Sequence, residues 1–303
     1  MQKFKKILSI SGLFILIFSC SDMVRSEKKS FSDSRSGKNF QEDTSRNNKY
    51  SWLSAYDYRQ NLINRIPCPA GFERIASTKN SFADWLRHLP LKKAGAEVNE
   101  YNGTPKNRQD VHEAVINIDA GGNEDLQQCA DAVMRLKAEY HYSRKQDDKI
   151  HFKYTSGDIA SWTQWKQGYR PQIKGNKVSF VKTKGADGSY ENFKKYLISV
   201  FRYAGTASLS KEMKAIPLSE IEPGDVFIKG GFPGHAVIVT DVAVNKSGEK
   251  VFMIAQSYMP AQDIHILKNF EEESLSPWYS INFGDELETP EWDFSKDQLK
   301  RFQ

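Results

Sequence analysis

The amino-acid sequence predicts an α+β fold, with helices packed on a mainly antiparallel sheet, and three observations predict it. Two segments carry apolar residues at the helical spacings of three and four. A later series of short apolar runs, each bounded by Gly, Pro or Asn turn chemistry, reads as a strand meander. Helices come first and strands cluster after them, the order of α+β rather than of alternating βαβ units. The 303 residues are 39% apolar and 27% charged, with a mean hydropathy of −0.62. That balance excludes a multi-span membrane protein and a collagen-like chain.

Residues 1–19 read as a signal peptide. Lys3, Lys5 and Lys6 precede Ile7 to Phe18, an almost unbroken apolar run too short to span a bilayer. Ile17-Phe18-Ser19-Cys20 resembles the bacterial lipobox, in which the Cys becomes the lipidated first residue of the mature chain. The expected partner is therefore a membrane, held through a lipid anchor on Cys20. The expected location is the cell envelope, at the outer membrane or the periplasmic face of the inner one. Residues 20–50 are Ser-, Lys-, Asp- and Asn-rich with few large apolar side chains, too few to offset the entropy of ordering them, and read as a tether.

The body, residues 51–303, reads as one globular domain. Ser81 is placed to cap a short helix through Phe82, Trp85 and Leu86. Val111 to Asp119 alternates as a strand. The best helix runs from about Asp125 to Tyr142, with Leu126, Cys129, Ala130, Val133, Leu136 and Tyr140 on one face. Strands follow at Ile150 to Tyr154 and Val178 to Val181, then a helix from Tyr190 to Tyr203. Pro223-Gly224-Asp225 turns into Val226 to Ile228, and Gly230 to Gly234 turns into the most hydrophobic strand, His235 to Ala243. Val251 to Gln256 and Ile264 to Leu267 complete the meander. The tail, from Pro277, is expected to dock its tryptophans on the body and to end in an amphipathic helix, Ser295 to Phe302.

Residues 51–303 carry 33 basic and 33 acidic side chains. No basic surplus remains to suit a nucleic acid. The six His show no metal-ligand spacing, and no phosphate loop is present, so no metal and no cofactor is expected. His141 and His151 are expected at an exposed turn. Trp162 and Trp165 with Tyr169-Arg170 fit either core packing or a sugar platform. Cys68 and Cys129 leave three readings open: a disulfide closing a loop of about 60 residues, contributing about 4 kcal/mol, an inert buried thiol, or a nucleophile.

The nucleophile reading comes from a resemblance. Pro223-Gly224-Asp225-Val226-Phe227-Ile228, Gly234-His235-Ala236-Val237-Ile238-Val239 and Ile254-Ala255-Gln256-Ser257 resemble the core sheet of the NlpC/P60 and CHAP cysteine hydrolases of cell walls, and Gln128-Cys129-Ala130-Asp131 is similar to their nucleophile segment. The resemblance implies a papain-like fold with Cys129 as nucleophile, His235 as base, Gln256 as orienter and Gln128 as a donor near the oxyanion. A helix N-terminus would depress the thiol pKa. Two departures stand. Cys129 and His235 lie 106 residues apart, which requires an insertion, and a helix starting at Asp125 would put Cys129 a full turn inside it. The stretches Ser81–Arg87, Asp125–Leu136, Pro223–Ile228, Gly234–Val239 and Ala255–Gln262 together resemble the exported Bacteroidota proteins catalogued as domain of unknown function forty-eight forty-six, which supplies no activity. The expected function is a membrane-anchored thiol hydrolase of cell-wall (peptidoglycan) peptides. The alternative is a non-catalytic envelope lipoprotein that binds through exposed aromatics and Gln256-Ser257-Tyr258.

Overall fold

A computed structural model describes residues 49–175 and 177–303. The expected signal peptide, Cys20 and nearly all of the expected tether lie outside them. The described residues belong to one compact unit, Asp43–Gln303. Its centre is a nine-stranded sheet, antiparallel in every pair. Seven strands form its main path: His112–Val115, His265–Leu267, Lys250–Gln256, His235–Asn245, Val226–Lys229, Leu299–Phe302 and Met213–Ala215. Phe72–Arg74 pairs with the far end of His235–Asn245, and Trp278–Ser280 with the start of Lys250–Gln256.

The first nine residues of the strand His235–Asn245 are all buried, because both faces of the sheet are covered. One face packs on the helices through Ala236, Ile238, Ala255, Met134, Leu136 and Phe193. The other packs Val237, Val239, Phe227 and Ile254 under Leu287, Phe294 and Leu299 of the tail. The tail docks as expected, but its end is not a helix. After one 3-10 turn, Leu299–Phe302 is a strand between Val226–Lys229 and Met213–Ala215. Two open strand edges offer backbone partners there, and pairing overrides the helical spacing of a short segment.

The helices Phe82–Arg87 and Tyr190–Tyr203 fall where the periodicity puts them. Ser81 Oγ accepts from Asp84 N at 3.2 Å, and Ser189 Oγ accepts from Asn192 N at 3.2 Å. Between Cys129 and His235 lie the hairpins His151–Lys153/Ile159–Ser161 and Tyr169–Lys174/Lys177–Lys182 and the helix Tyr190–Tyr203. Trp162 is buried against Phe193 and Tyr196, and Arg170 stacks at 4.0 Å on Trp165, whose Nε1 donates to Asn192. That is core packing rather than a sugar platform. His151 is exposed, but His141 is buried, with Nδ1 at 2.9 Å from Gln146 Oε1.

Candidate functional site

The helix begins at Cys129, not at Asp125. Asp125 Oδ1 accepts from the backbone N–H of Ala261 and, at 3.0 Å, from Gln128 Nε2. Ser257 Oγ donates to the Gln127 carbonyl at 2.9 Å. These bonds hold residues 125–127 as a loop, and Asp131 Oδ2 then caps the helix by accepting from Gln128 N at 3.1 Å. Cys129 is thus the first helical residue, where backbone N–H groups lack helical partners. The backbone N–H groups of Ala130, of Cys129 itself and of Ala236 on the sheet face its sulfur and favour the thiolate. The Gln128 side chain is committed to Asp125.

His235 opens its strand because Gly234 lets the preceding turn close. A Cβ on Gly234 would stand 2.5 Å from Thr206 Oγ1 and from the Gly231 carbonyl, and Thr206 Oγ1 donates to that carbonyl at 3.0 Å. The Pro223-Gly224-Asp225 turn is structural. Gly224 has φ +101°, a Cβ there would meet Phe82 at 2.8 Å, and Asp225 receives a two-pronged pair from Arg301 at 2.6 and 2.9 Å.

His235 Nε2 lies 2.8 Å from Gln256 Oε1. The imidazole is enclosed by Tyr258, Trp292 and Phe294, with ring centroids at 5.0, 5.4 and 5.9 Å. Gln256 Nε2 donates to Glu291 Oε2 at 2.7 Å, and Lys106 Nζ donates to Glu291 Oε1 at 2.6 Å. His265, opposite Gln256 in the sheet, has Nδ1 at 2.9 Å from the Asp263 carbonyl and Nε2 at 3.4 Å from Gln256 Nε2. Lys106 and Glu291 leave no sign in the sequence. They meet across 185 residues, and no local spacing links them.

Burial sets the protonation states. It pushes the Cys129 thiol up to about 11, with the Asp131 carboxyl adding to the effect, against the pull of the nearby backbone N–H groups. It lowers His235 to about 4, against the bond to Gln256. Thiol and imidazole are therefore both neutral at rest. The depressed thiol expected of a helix tip is not found, because Cys129 is only 6% exposed and desolvation outweighs the N–H groups.

Cys68 and Cys129 are both free thiols. Cys68 sits near Arg74, Asp241 and Arg87, toward one end of the strand His235–Asn245, and Cys129 sits against Ala236 at the other. Gln256 and Ser257 are buried, which removes them from any exposed binding surface. Among the described residues no group of His, Cys, Asp or Glu could hold a metal ion. No helix among them is long and apolar enough to cross a membrane.

The chain belongs to the family described as domain of unknown function (4846), whose model matches residues 62–301. The match spans Cys129, His235, Gln256, Lys106 and Glu291. No curated protein and no solved structure was found to match.

Proposed function

We propose that this member of the family is a papain-like thiol hydrolase of peptide or amide bonds, with Cys129 as nucleophile, His235 as general base and Gln256 as orienter. One juxtaposition carries the reading. A thiol on the first residue of a helix lies near the N–H of Ala236, the residue after a histidine whose Nε2 meets a buried amide oxygen. An amide oxygen only accepts, so the His235 proton sits on Nε2 and Nδ1 carries the lone pair.

In the first half-reaction the thiol proton moves to His235 Nδ1 as sulfur bonds to the substrate carbonyl carbon. The backbone N–H of Cys129 faces the developing oxyanion. The C–N bond then breaks, and the leaving nitrogen takes the proton from His235. In the second, water attacks the thioester, its proton passes through His235 back to sulfur, and a carboxylic acid leaves. A raised thiol and a lowered imidazole leave the proton on sulfur at rest, so its transfer belongs to the attack itself.

The same proposal makes the substrate a cell-wall peptide and the location the cell envelope, through a lipid on Cys20. The basic, apolar leader and its terminal Cys support that part. One observation favours a second reading, a non-catalytic binding module: the thiol is buried and pushed up to about 11.

Digestion of soluble peptidoglycan peptides separates the two. Mass spectrometry of the products should show the gain of one water per cleaved amide with the native protein and none with Cys129→Ser. A panel left intact by folded wild-type protein would favour the binding module.

A further inference from the structure

Gln256 can serve His235 in two ways, because its amide presents an acceptor on one side and a donor on the other. With Oε1 toward His235 the imidazole is Nε2–H and Nδ1 is a base. With the amide turned over, NH2 faces His235, the ring proton moves to Nδ1, and the base is lost. Which way the amide lies is therefore a functional setting, and its other neighbours decide it.

Two acceptors flank its nitrogen. Glu291 Oε2 accepts at 2.7 Å. His265 donates from Nδ1 to the Asp263 carbonyl, which can only accept, so its Nε2 is a lone pair, 3.4 Å from Gln256 Nε2. Lys106 ion-pairs with the other Glu291 oxygen at 2.6 Å, with only 8% of its side chain and 10% of that of Glu291 exposed. A lysine ammonium has no acceptor and a carboxylate has no donor, so Lys106 and Gln256 both donate to Glu291, which leaves Gln256 Oε1 to accept from His235.

We propose that Lys106 and Glu291 are positioning residues that act through Gln256 to hold His235 as the Nε2–H tautomer, with Nδ1 free to take the Cys129 proton. Its catalytic meaning rests on the hydrolase reading, but the tautomer can be read without any substrate.

The decisive variant is Glu291→Gln. Lys106 still demands an oxygen, so the new side chain turns its NH2 toward Gln256. The charge-assisted bond to Lys106 outweighs the longer neutral contact at His265, and Gln256 turns over. Ring 15N–1H correlation spectra of the full chain, with His235 assigned by His235→Ala, should show Nε2–H in wild type and Nδ1–H in E291Q. Alkylation of Cys129 at pH 7 should slow at least tenfold in E291Q. Adding Lys106→Met to E291Q removes the demand for oxygen, lets the substituted amide turn its acceptor to Gln256, and should restore Nε2–H. Restoration is what a general loosening of the site would not give.

Retention of Nε2–H in folded E291Q overturns the proposal. So does a wild-type spectrum with His235 protonated on Nδ1, whatever the variants do. Tautomer inversion that leaves Cys129 alkylation unchanged keeps the positioning role and overturns the hydrolase reading instead.

Discussion

The strand His235–Asn245 carries buried polar chemistry at both ends, and the two ends handle it differently. Near its far end Asp241, wholly buried, accepts from Arg74 Nε and Arg87 Nε at 2.5 Å each and from Val242 N at 2.9 Å. Two fixed cations hold one fixed anion, so the cluster ties Phe72–Arg74 and Phe82–Arg87 to the sheet. At its start, thiol and imidazole are both neutral, and the charges stand back at Lys106 and Glu291, joined to His235 only through an amide. A hydrogen-bonded ion cluster fixes structure. On the proposed reading, a neutral thiol and imidazole with a fixed set of hydrogen bonds behind them can move a proton.

The difference can be broken first with pH. Burial lowers His235 and His141 to about 4 and His265 to about 3. Their unfolded values lie near 6.5, so between these limits the unfolded chain binds more protons. The stability these groups contribute is complete above about pH 6.5 and lost as pH falls toward 4, at about 1.4 kcal/mol per pH unit for each. Each histidine should contribute about 2 kcal/mol to the difference between urea titrations at pH 8 and pH 5, partly offset by the raised Asp131 and Glu139 carboxyls, which favour the folded state as pH falls. His265→Asn should shrink that difference. An unchanged midpoint would contradict neutral burial.

Asp241→Ala attacks the other end. It leaves Arg87 buried without its carboxylate and should cost about 3–5 kcal/mol, measured by denaturant titration, while Cys129 reactivity in the folded fraction stays as it was. Loss of His235-dependent reactivity at equal folding would mean that the two ends are coupled. A smaller effect belongs to Gly234→Ala, whose Cβ would press on Thr206 Oγ1 and the Gly231 carbonyl. That crowding should cost about 1–3 kcal/mol and displace His235, lowering alkylation more than stability predicts.

Much of the site is legible in the sequence. Gly234-His235 opens the strand that the turn chemistry predicts, and Gln256 ends the next one, so antiparallel pairing brings the two together. Other parts are not legible, each for a physical reason. Periodicity starts the helix four residues early because Asp125 resembles part of its first turn, whereas its carboxylate is held by Ala261 N–H, 136 residues away. Ser295 to Phe302 has helical spacing, but it lies between two strands that need partners. A thiol heading a helix is expected to be acidic, and desolvation by burial reverses that. Glu291 becomes visible only once the tail folds back over His235.

The most direct test of the central claim is the rate of Cys129 alkylation by a small electrophile against pH, in wild type and His235→Ala. With the imidazole near 4 and the thiol near 11, base-assisted attack predicts a wild-type rate that is flat from about pH 5 to 9. The variant should rise about tenfold per pH unit and react about a hundredfold more slowly at pH 7. A wild-type rate that climbs tenfold per unit and coincides with the variant, or labelling only after unfolding, would contradict it.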